Sequence, residues 1–372
     1  MKIGYVINKA THTSIPVEWA SLISEKYNDD VTIMSLYDSQ SDVDKICEVI
    51  APSCKRIGFN LKKKGLKGFF AFRSELQNGN YDVVHTHHTL SGALARFIAK
   101  GTRKIHTIHA NHNSFSLVQN LIIGSTLNRC DLIVANSKSS LNGMKKWQKK
   151  RTRHVKKVII NNGVNVERIE ETSDQWACEF WKEKGFTDDT FVFAQIGRLE
   201  IVKNPLQTLN AFEMLLNEEP NINAKLLFVG DGRERKRLEQ CVENSAILKN
   251  KVIFTGTLQR DEVYSLMHKV NAMVIPSLYE GFCNALFEGL VCGVPVLVSD
   301  IPVFNELLSG DIGIRIDPQN CVDISRKMKN IMATKDDAKL INNKRFAIKE
   351  YSSNRCIEKY RFAYAKIVNG GR

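Results

Sequence analysis

The chain has 372 residues, a hydrophobic fraction of 43%, a charged fraction of 25% and a formal net charge of +13. That length suits two domains of ordinary size, each with its own core, and no run approaches the ~18 uninterrupted apolar residues of a membrane-spanning helix. The nine cysteines are scattered, without a C-x-x-C pair or zinc-like spacing, which excludes a patterned metal site and fits reduced thiols in the cytoplasm.

Residues 2–8 read as a first β-strand, being too short an apolar run for a secretion signal and lacking a small-residue cleavage site. A loop bearing Thr11, His12, Thr13 and Ser14 follows, then a helix over 17–27 and a strand over 31–35. Residues 54–70 interleave lysines with apolar side chains. Strands are expected at 82–86, ending in the histidines His85, His87 and His88, and at 104–109, ending in His109, with a helix over 90–100 between them. A strand over 131–136 precedes Ser137, well placed as a helix cap, and a basic stretch at 145–157 leads to Asn161, Asn162 and Gly163. Alternation of strand and helix predicts a doubly wound parallel sheet, whose ligands sit at the carboxyl ends of the strands. His85, His87, His109 and Asn161 all fall there.

Residues 166–188, with Trp176 and Trp181, read as a polar helical bridge between domains. The strand–helix pattern then restarts, with strands at 191–197, 225–229, 252–255 and 271–275. The domains are therefore 1–165 and 166–350, with a terminal segment at 351–372 carrying Tyr360, Phe362, Ala363 and Ile367 at helical spacing.

Two motifs of the second half carry chemistry. IGRLEIVKNP follows a strand directly and brings Arg198 and Lys203 to the sheet's carboxyl edge, a guanidinium fork and an ammonium point charge suited to a diphosphate. The second is PSLYEGFCNALFEGLVCGVPVLVSD, residues 276–300: strand end, loop, helix, strand. A helix beginning near Cys283 or Asn284 leaves backbone N–H groups at Phe282, Cys283, Asn284 and Ala285 aimed at an anion. Glu280 in the loop and Glu288 one turn inside cannot serve a phosphate; they suit hydrogen-bond donors such as sugar hydroxyls. Val229-Gly230-Asp231-Gly232 reads first as a strand-to-helix turn that needs glycine for backbone reasons.

This pattern resembles the E-x7-E signature of the retaining glycosyltransferases of group 1, family 4, and GRL…K, VGDG, PSLYEGF…E and GVPV arrive in that family's order. The resemblance implies a GT-B fold, an α/β architecture of two Rossmann-like doubly wound parallel-sheet domains facing a cleft: an acceptor-binding first domain, a nucleotide-sugar-binding second one, and a C-terminal helix crossing back to the first. It further implies a retaining, hexosyl-type transfer from a UDP- or GDP-linked sugar to a glycan or lipid-linked acceptor in cell-surface polysaccharide synthesis. Arg198 and Lys203 would hold the diphosphate and stabilise the departing charge; Glu288 would accept from the ribose hydroxyls, Glu280 from the donor sugar; His109 would touch the donor sugar; residues 255–258 would meet the nucleobase. No cofactor beyond the donor substrate and no metal are implied. Both lying at an open edge, Arg198 and Lys203 would be replaceable without loss of stability.

Two positions depart from the family. The loop 9–14 has no glycine, which leaves Thr11, Thr13 or Ser14 for acceptor recognition, and Cys283 stands where glycine is frequent. No general base stands out, and front-side displacement and a covalent intermediate both stay open. A nucleotide-sugar hydrolase or epimerase of the same fold is the alternative enzyme; a nucleic-acid-binding role lacks basic residues interleaved with stacking aromatics in a recognisable module. The two basic stretches of the first half, with Phe59, Leu61, Leu66, Phe69, Phe70 and Trp147, predict peripheral docking on an anionic membrane from its cytoplasmic side.

Overall fold

The computed structural model describes residues 1–334 and 336–370, which divide into two units, Met1–Gly163 joined by the C-terminal helix, and Val164–Ser352. The first unit is a parallel sheet in the order β3-β2-β1-β4-β5-β6-β7. Its strands are β1 (Lys2–Ile7), β2 (Asp30–Ser35), β3 (Lys55–Gly58), β4 (Val83–Thr86), β5 (Arg103–Ile108), β6 (Leu132–Ala135) and β7 (Lys156–Ile159). Helices α1 (Ile15–Tyr27), α2 (Gln40–Ile50), α3 (Leu61–Asn78), α4 (Thr89–Ile98), α5 (Leu117–Thr126), α6 (Lys138–Asn142) and α7 (Lys146–Arg151) connect them. α2 and α5 begin with reciprocal capping boxes, Ser39 with Asp42 and Ser116 with Gln119, and Ser137 caps α6 as its sequence position predicts.

The second unit opens with α8 (Val166–Glu171) and α9 (Gln175–Glu183) and is built on β8 (Phe191–Ile196), β9 (Ala224–Val229), β10 (Val252–Gly256), β11 (Ala272–Ile275), β12 (Val296–Ser299) and β13 (Ile314–Ile316). These strands lie parallel in the order β10-β9-β8-β11-β12-β13. Its remaining helices are α10 (Pro205–Glu218), α11 (Arg235–Asn244), α12 (Arg260–Met267), α13 (Asn284–Val291), α14 (Pro302–Leu307), α15 (Cys321–Ala333) and α16 (Asp337–Tyr351). Residues 166–188 are not a free-standing bridge. Ile169, Phe180 and Phe186 are buried in this unit's core, Trp176 and Trp181 pack against it, and Trp176 stacks on Phe180 at 5.4 Å. The apolar face of α9 outweighs its polar composition.

The last helix, α17 (Ser353–Asn369), belongs to the first unit. It buries Cys356, Ile357, Tyr360 and Tyr364 in the core shared by β1, β4, β5 and α1. A buried polar chain fixes its register: Tyr5 and Tyr364 hydroxyls meet at 2.7 Å, Tyr364 meets His85 Nδ1 at 2.7 Å, His85 Nε2 meets Thr107 at 2.7 Å, and Thr107 meets Tyr360 at 3.0 Å. His85 is thus a core residue with both ring nitrogens occupied, and not a ligand group at the sheet edge. A fully satisfied network of this kind specifies one docking mode where apolar contacts alone would tolerate slippage.

Candidate active site

In open parallel sheets the ligand crevice lies at the carboxyl ends of the two strands where the order reverses. In the second unit those strands are β8 and β11, and the two motifs follow them directly. β8 ends at Ile196 and is followed by Gly197, whose φ of 141° is open to glycine. Arg198 is exposed, without a carboxylate partner among the described residues. Leu199 is buried and anchors the loop, which closes as a single 3-10 turn, Ile201–Lys203, before Pro205 starts α10. Gln195 of β8 donates to the Lys203 carbonyl at 2.7 Å, and the Asn204 side chain donates to the Pro318 carbonyl at 2.6 Å. Lys203 therefore projects from a loop pinned at both ends.

Opposite it, the loop after β11 carries Glu280. Leu278 N–H donates to the Val202 carbonyl at 2.9 Å, binding the two loops together. The Lys203 ammonium forms an ion pair with Glu280 Oε1, and the same oxygen accepts from the Ser277 hydroxyl at 2.9 Å. Both side chains are largely shielded, Lys203 22% and Glu280 9% exposed. Burial, the largest single effect, would lower the Lys203 pKa, but the charge of Glu280, the neighbouring Cys283 and the hydrogen bond to Glu280 together outweigh it, and the ammonium is held above its ordinary value. Lys203 is thus a permanent cation whose partner would be stranded by its removal, so its replacement is not neutral for stability.

Helix α13 starts at Asn284 behind Cys283, which adopts a left-handed conformation, φ 75° and ψ 80°. A non-glycine residue in this region carries backbone strain. Burial, and next the charge of Glu280, push the Cys283 thiol up to about 12, so it is a protonated spacer and not a nucleophile. The Phe282 side chain stacks on Phe287 at 4.5 Å inside the core; only its backbone remains for a ligand. Asn284 and Ala285 are half-buried in the first turn. Glu288, one turn in, accepts from the Tyr264 hydroxyl of α12 at 3.2 Å.

The glycine turn after β9 is structural. Gly230, at φ 129°, lies so close to the Gly197 carbonyl that any Cβ would collide with it. The β8 and β9 loop ends can approach only without side chains there. Gly256 follows at the end of β10, its carbonyl accepting from Gly230 N–H at 2.8 Å.

In the first unit, His109 leaves β5 and its Nε2 faces His87 Nδ1 at 3.0 Å. Its ring lies 6.0 Å from that of Trp19, and its carbonyl accepts from Asn136 at 2.9 Å. Asn161 is tied to the Asn136 carbonyl at 2.8 Å. Burial, then His88, lower the His109 pKa to about 3, so the ring is neutral near pH 7. In the 9–14 loop, Ala10 N–H is held by Asp38 at 2.7 Å, while Thr11 and Thr13 are exposed.

Two family sequence models match, Glycosyltransferase Family 4 over residues 26–168 and Glycosyl transferases group 1 over residues 179–350. The chain belongs to the glycosyltransferase group 1 family. It is an enzyme that transfers a sugar from a nucleotide-sugar donor. Among relatives, the UDP-Gal:alpha-D-GlcNAc-diphosphoundecaprenol alpha-1,3-galactosyltransferase of Escherichia coli is 24% identical over 75% of this chain and 76% of its own. The N-acetyl-alpha-D-glucosaminyl L-malate synthase of Bacillus anthracis is 24% identical over 64% of this chain and 61% of its own. The Anabaena HepE structure in complex with UDP and glucose superposes with a TM-score of 0.80 at 18% identity, covering 98% of this chain and all of that one. Sucrose-phosphate synthase from Thermosynechococcus elongatus gives 0.79 at 17% identity over both full chains. The fold of this glycosyltransferase is GT-B.

Ser277 and Tyr264, which orient the two glutamates, escaped the sequence reading. Ser277 lies inside the quoted motif, three residues before Glu280, and its spacing was a usable signal; Tyr264 is brought in only by the packing of α12.

Proposed function

We propose that this glycosyltransferase retains anomeric configuration, needs no metal, and moves a hexosyl group from a UDP- or GDP-sugar to a glycan or lipid-linked acceptor in cell-surface polysaccharide synthesis. The observation that carries the reading is the pairing of Lys203 with Glu280 across the β8–β11 switch point. An ammonium has three donors, so Lys203 can hold Glu280 and a diphosphate oxygen together, placing the donor sugar beside the carboxylate. Arg198, exposed at the same edge, completes the charge that stabilises the departing diphosphate, the job a metal would otherwise do. Ser277 and Lys203 both engage Oε1 of Glu280; we assign Oε2 to a sugar hydroxyl. Glu288, steadied by Tyr264, accepts from the ribose diol, and the N–H groups of residues 282–285 face the phosphates. Neutral His109 donates to or accepts from the donor sugar.

The lipid-linked acceptor draws support from the diphosphoundecaprenol substrate in the name of the Escherichia coli relative. Among the described residues no helix is long and apolar enough to cross a membrane, so access to such an acceptor would be peripheral, from the cytoplasmic side. Proton NMR of the product anomer, with EDTA present throughout, tests the proposal. A retained anomer formed only when acceptor is supplied supports it. Inversion, a divalent-ion requirement, or donor turnover without acceptor contradicts it.

A further inference from the structure

The predicted membrane contact of residues 55–67 is only partly available. Phe59 is buried and Phe69 half-buried in the core beneath α3, and Lys55 pairs with Asp30 at 3.0 Å; of the apolar side chains there, Leu66 and Phe70 are exposed. A stronger apolar surface lies on α5. Leu117, Val118 and Leu121 are 82, 64 and 61% exposed. At positions i, i+1 and i+4 they share one arc of the helix, while Asn120, Ile123 and Gly124 bury the other.

This stripe is held rigidly and framed by positive charge. A Cβ on Gly124 would strike the Trp147 ring, so α7 lies directly on α5. Gln148 donates to the Asn120 carbonyl at 3.0 Å and Arg151 to that of Ser125 at 3.3 Å. Lys146, Lys149 and Lys150 are exposed on α7 and pair with no carboxylate among the described residues. On the other flank, α4 packs against α5, and Arg129 covers the exposed Phe97 ring at 4.6 Å. Between residues 83 and 166 the sequence has fourteen Lys and Arg and one carboxylate, Asp131, itself paired with Arg103 at 3.0 Å.

We infer that the α5 stripe with its α7 frame is the surface by which this chain docks on an anionic lipid bilayer, Leu117, Val118 and Leu121 entering the headgroup layer. This rests on the peripheral membrane access proposed above. A second copy of the chain is the poorer occupant, because facing α7 helices would oppose lysine to lysine; a bilayer bearing negative headgroups complements both the apolar stripe and its frame. The loop leaving β5 at His109 passes through one 3-10 turn, His112–Ser114, into α5, so docking by this helix places the carboxyl edge of the first unit's sheet near the lipid surface.

Co-sedimentation of the full chain with phosphatidylcholine vesicles, with and without about one-third phosphatidylglycerol, tests the surface. Wild type pellets with the anionic vesicles and is released at 1 M salt, where the Debye length falls to about 3 Å. L117S/V118S/L121S, all at exposed positions, lowers vesicle affinity on the order of tenfold or more, while its affinity for a nucleoside diphosphate in the second unit is unchanged. Brominated acyl chains quench part of the wild-type tryptophan emission, a part missing in Trp147→Phe. Vesicle binding unaffected by the triple variant, equal pelleting with neutral vesicles, or a lipid-free dimer that the triple variant dissolves each overturns the inference. Loss of nucleotide binding in the wild type would count against the transferase reading alone.

Discussion

Lys203 and Glu280 form an ion pair that joins the loop after β8 to the loop after β11, the two strands flanking the reversal of the second sheet. The cation proposed for the leaving group and the acceptor proposed for the sugar are therefore one mechanical unit. Each holds the other in place, and Ser277 on Glu280 and Gln195 on the Lys203 carbonyl hold the pair.

The first consequence separates Lys203 from Arg198. Lys203→Ala strands a shielded carboxylate and should cost about 2 kcal/mol of stability, together with a fall in transfer rate on the order of 10- to 100-fold. Adding Glu280→Gln should restore the melting temperature and leave the rate low. Arg198→Ala should lose a similar rate factor with stability within about 0.5 kcal/mol. Thermal unfolding beside initial rates reads both; identical melting curves for the two single variants would break the coupling.

The two glutamates should differ in what they bind. Glu288→Gln should weaken a free nucleoside diphosphate, and Tyr264→Phe, which removes the hydroxyl aimed at Glu288, should do the same by about 3- to 10-fold. Glu280→Gln should leave free nucleotide affinity intact and lower transfer. Calorimetry with the nucleotide alone decides, and loss on Glu280→Gln with none on Glu288→Gln would reverse the roles.

Cys283 sits where the backbone favours glycine. Cys283→Gly relieves the left-handed strain while giving up a half-buried side chain, so stability should move by less than about 1 kcal/mol and activity persist. Cys283→Val, β-branched at φ 75°, should cost more than about 2 kcal/mol and weaken nucleotide binding. Equal tolerance of both would mean the conformation imposes nothing at the site.

Much of this was legible because each motif directly follows a strand: GRL…K after β8 and the segment 276–300 after β11 had to fall at carboxyl edges once the alternation was recognised. What stayed hidden depended on packing. α2 and α5 passed unread although Ser39/Asp42 and Ser116/Gln119 are capping boxes and α2 carries Val43, Ile46, Cys47 and Ile50 at helical spacing; α5 carries apolar residues on its exposed and its buried arcs alike, which blurs its period. The helices at 166–188 read as a bridge because the aromatic side chains of α9 reveal a core face only when α12 lies against them. His85 carried the composition of a site and proved to be a register pin for α17, a fact set by Tyr364, 279 residues away.

Acid should unfold the first unit early. Burial holds the pKa values of His85, His87 and His106 well below 6.5, and that of His109 at about 3. These rings gain protons only on unfolding, so between pH 6.5 and the folded values the unfolded chain binds more protons and stability falls as pH falls. Each such histidine contributes about 1.4 kcal/mol per pH unit in that window. Melting temperature should be flat above pH 7 and drop steeply from pH 6.5 to 5; a flat profile across that range would contradict the neutral buried cluster.

The central claim, a diphosphate held by protein charge at the β8–β11 edge, is tested most directly by calorimetric titration of UDP and GDP into the full chain in EDTA. The account predicts saturable binding of one of them without any divalent ion, weakened on the order of tenfold or more by Arg198→Ala at unchanged melting temperature. No binding of either nucleotide, binding only after a divalent ion is restored, or equal affinity in the Arg198→Ala variant would contradict it.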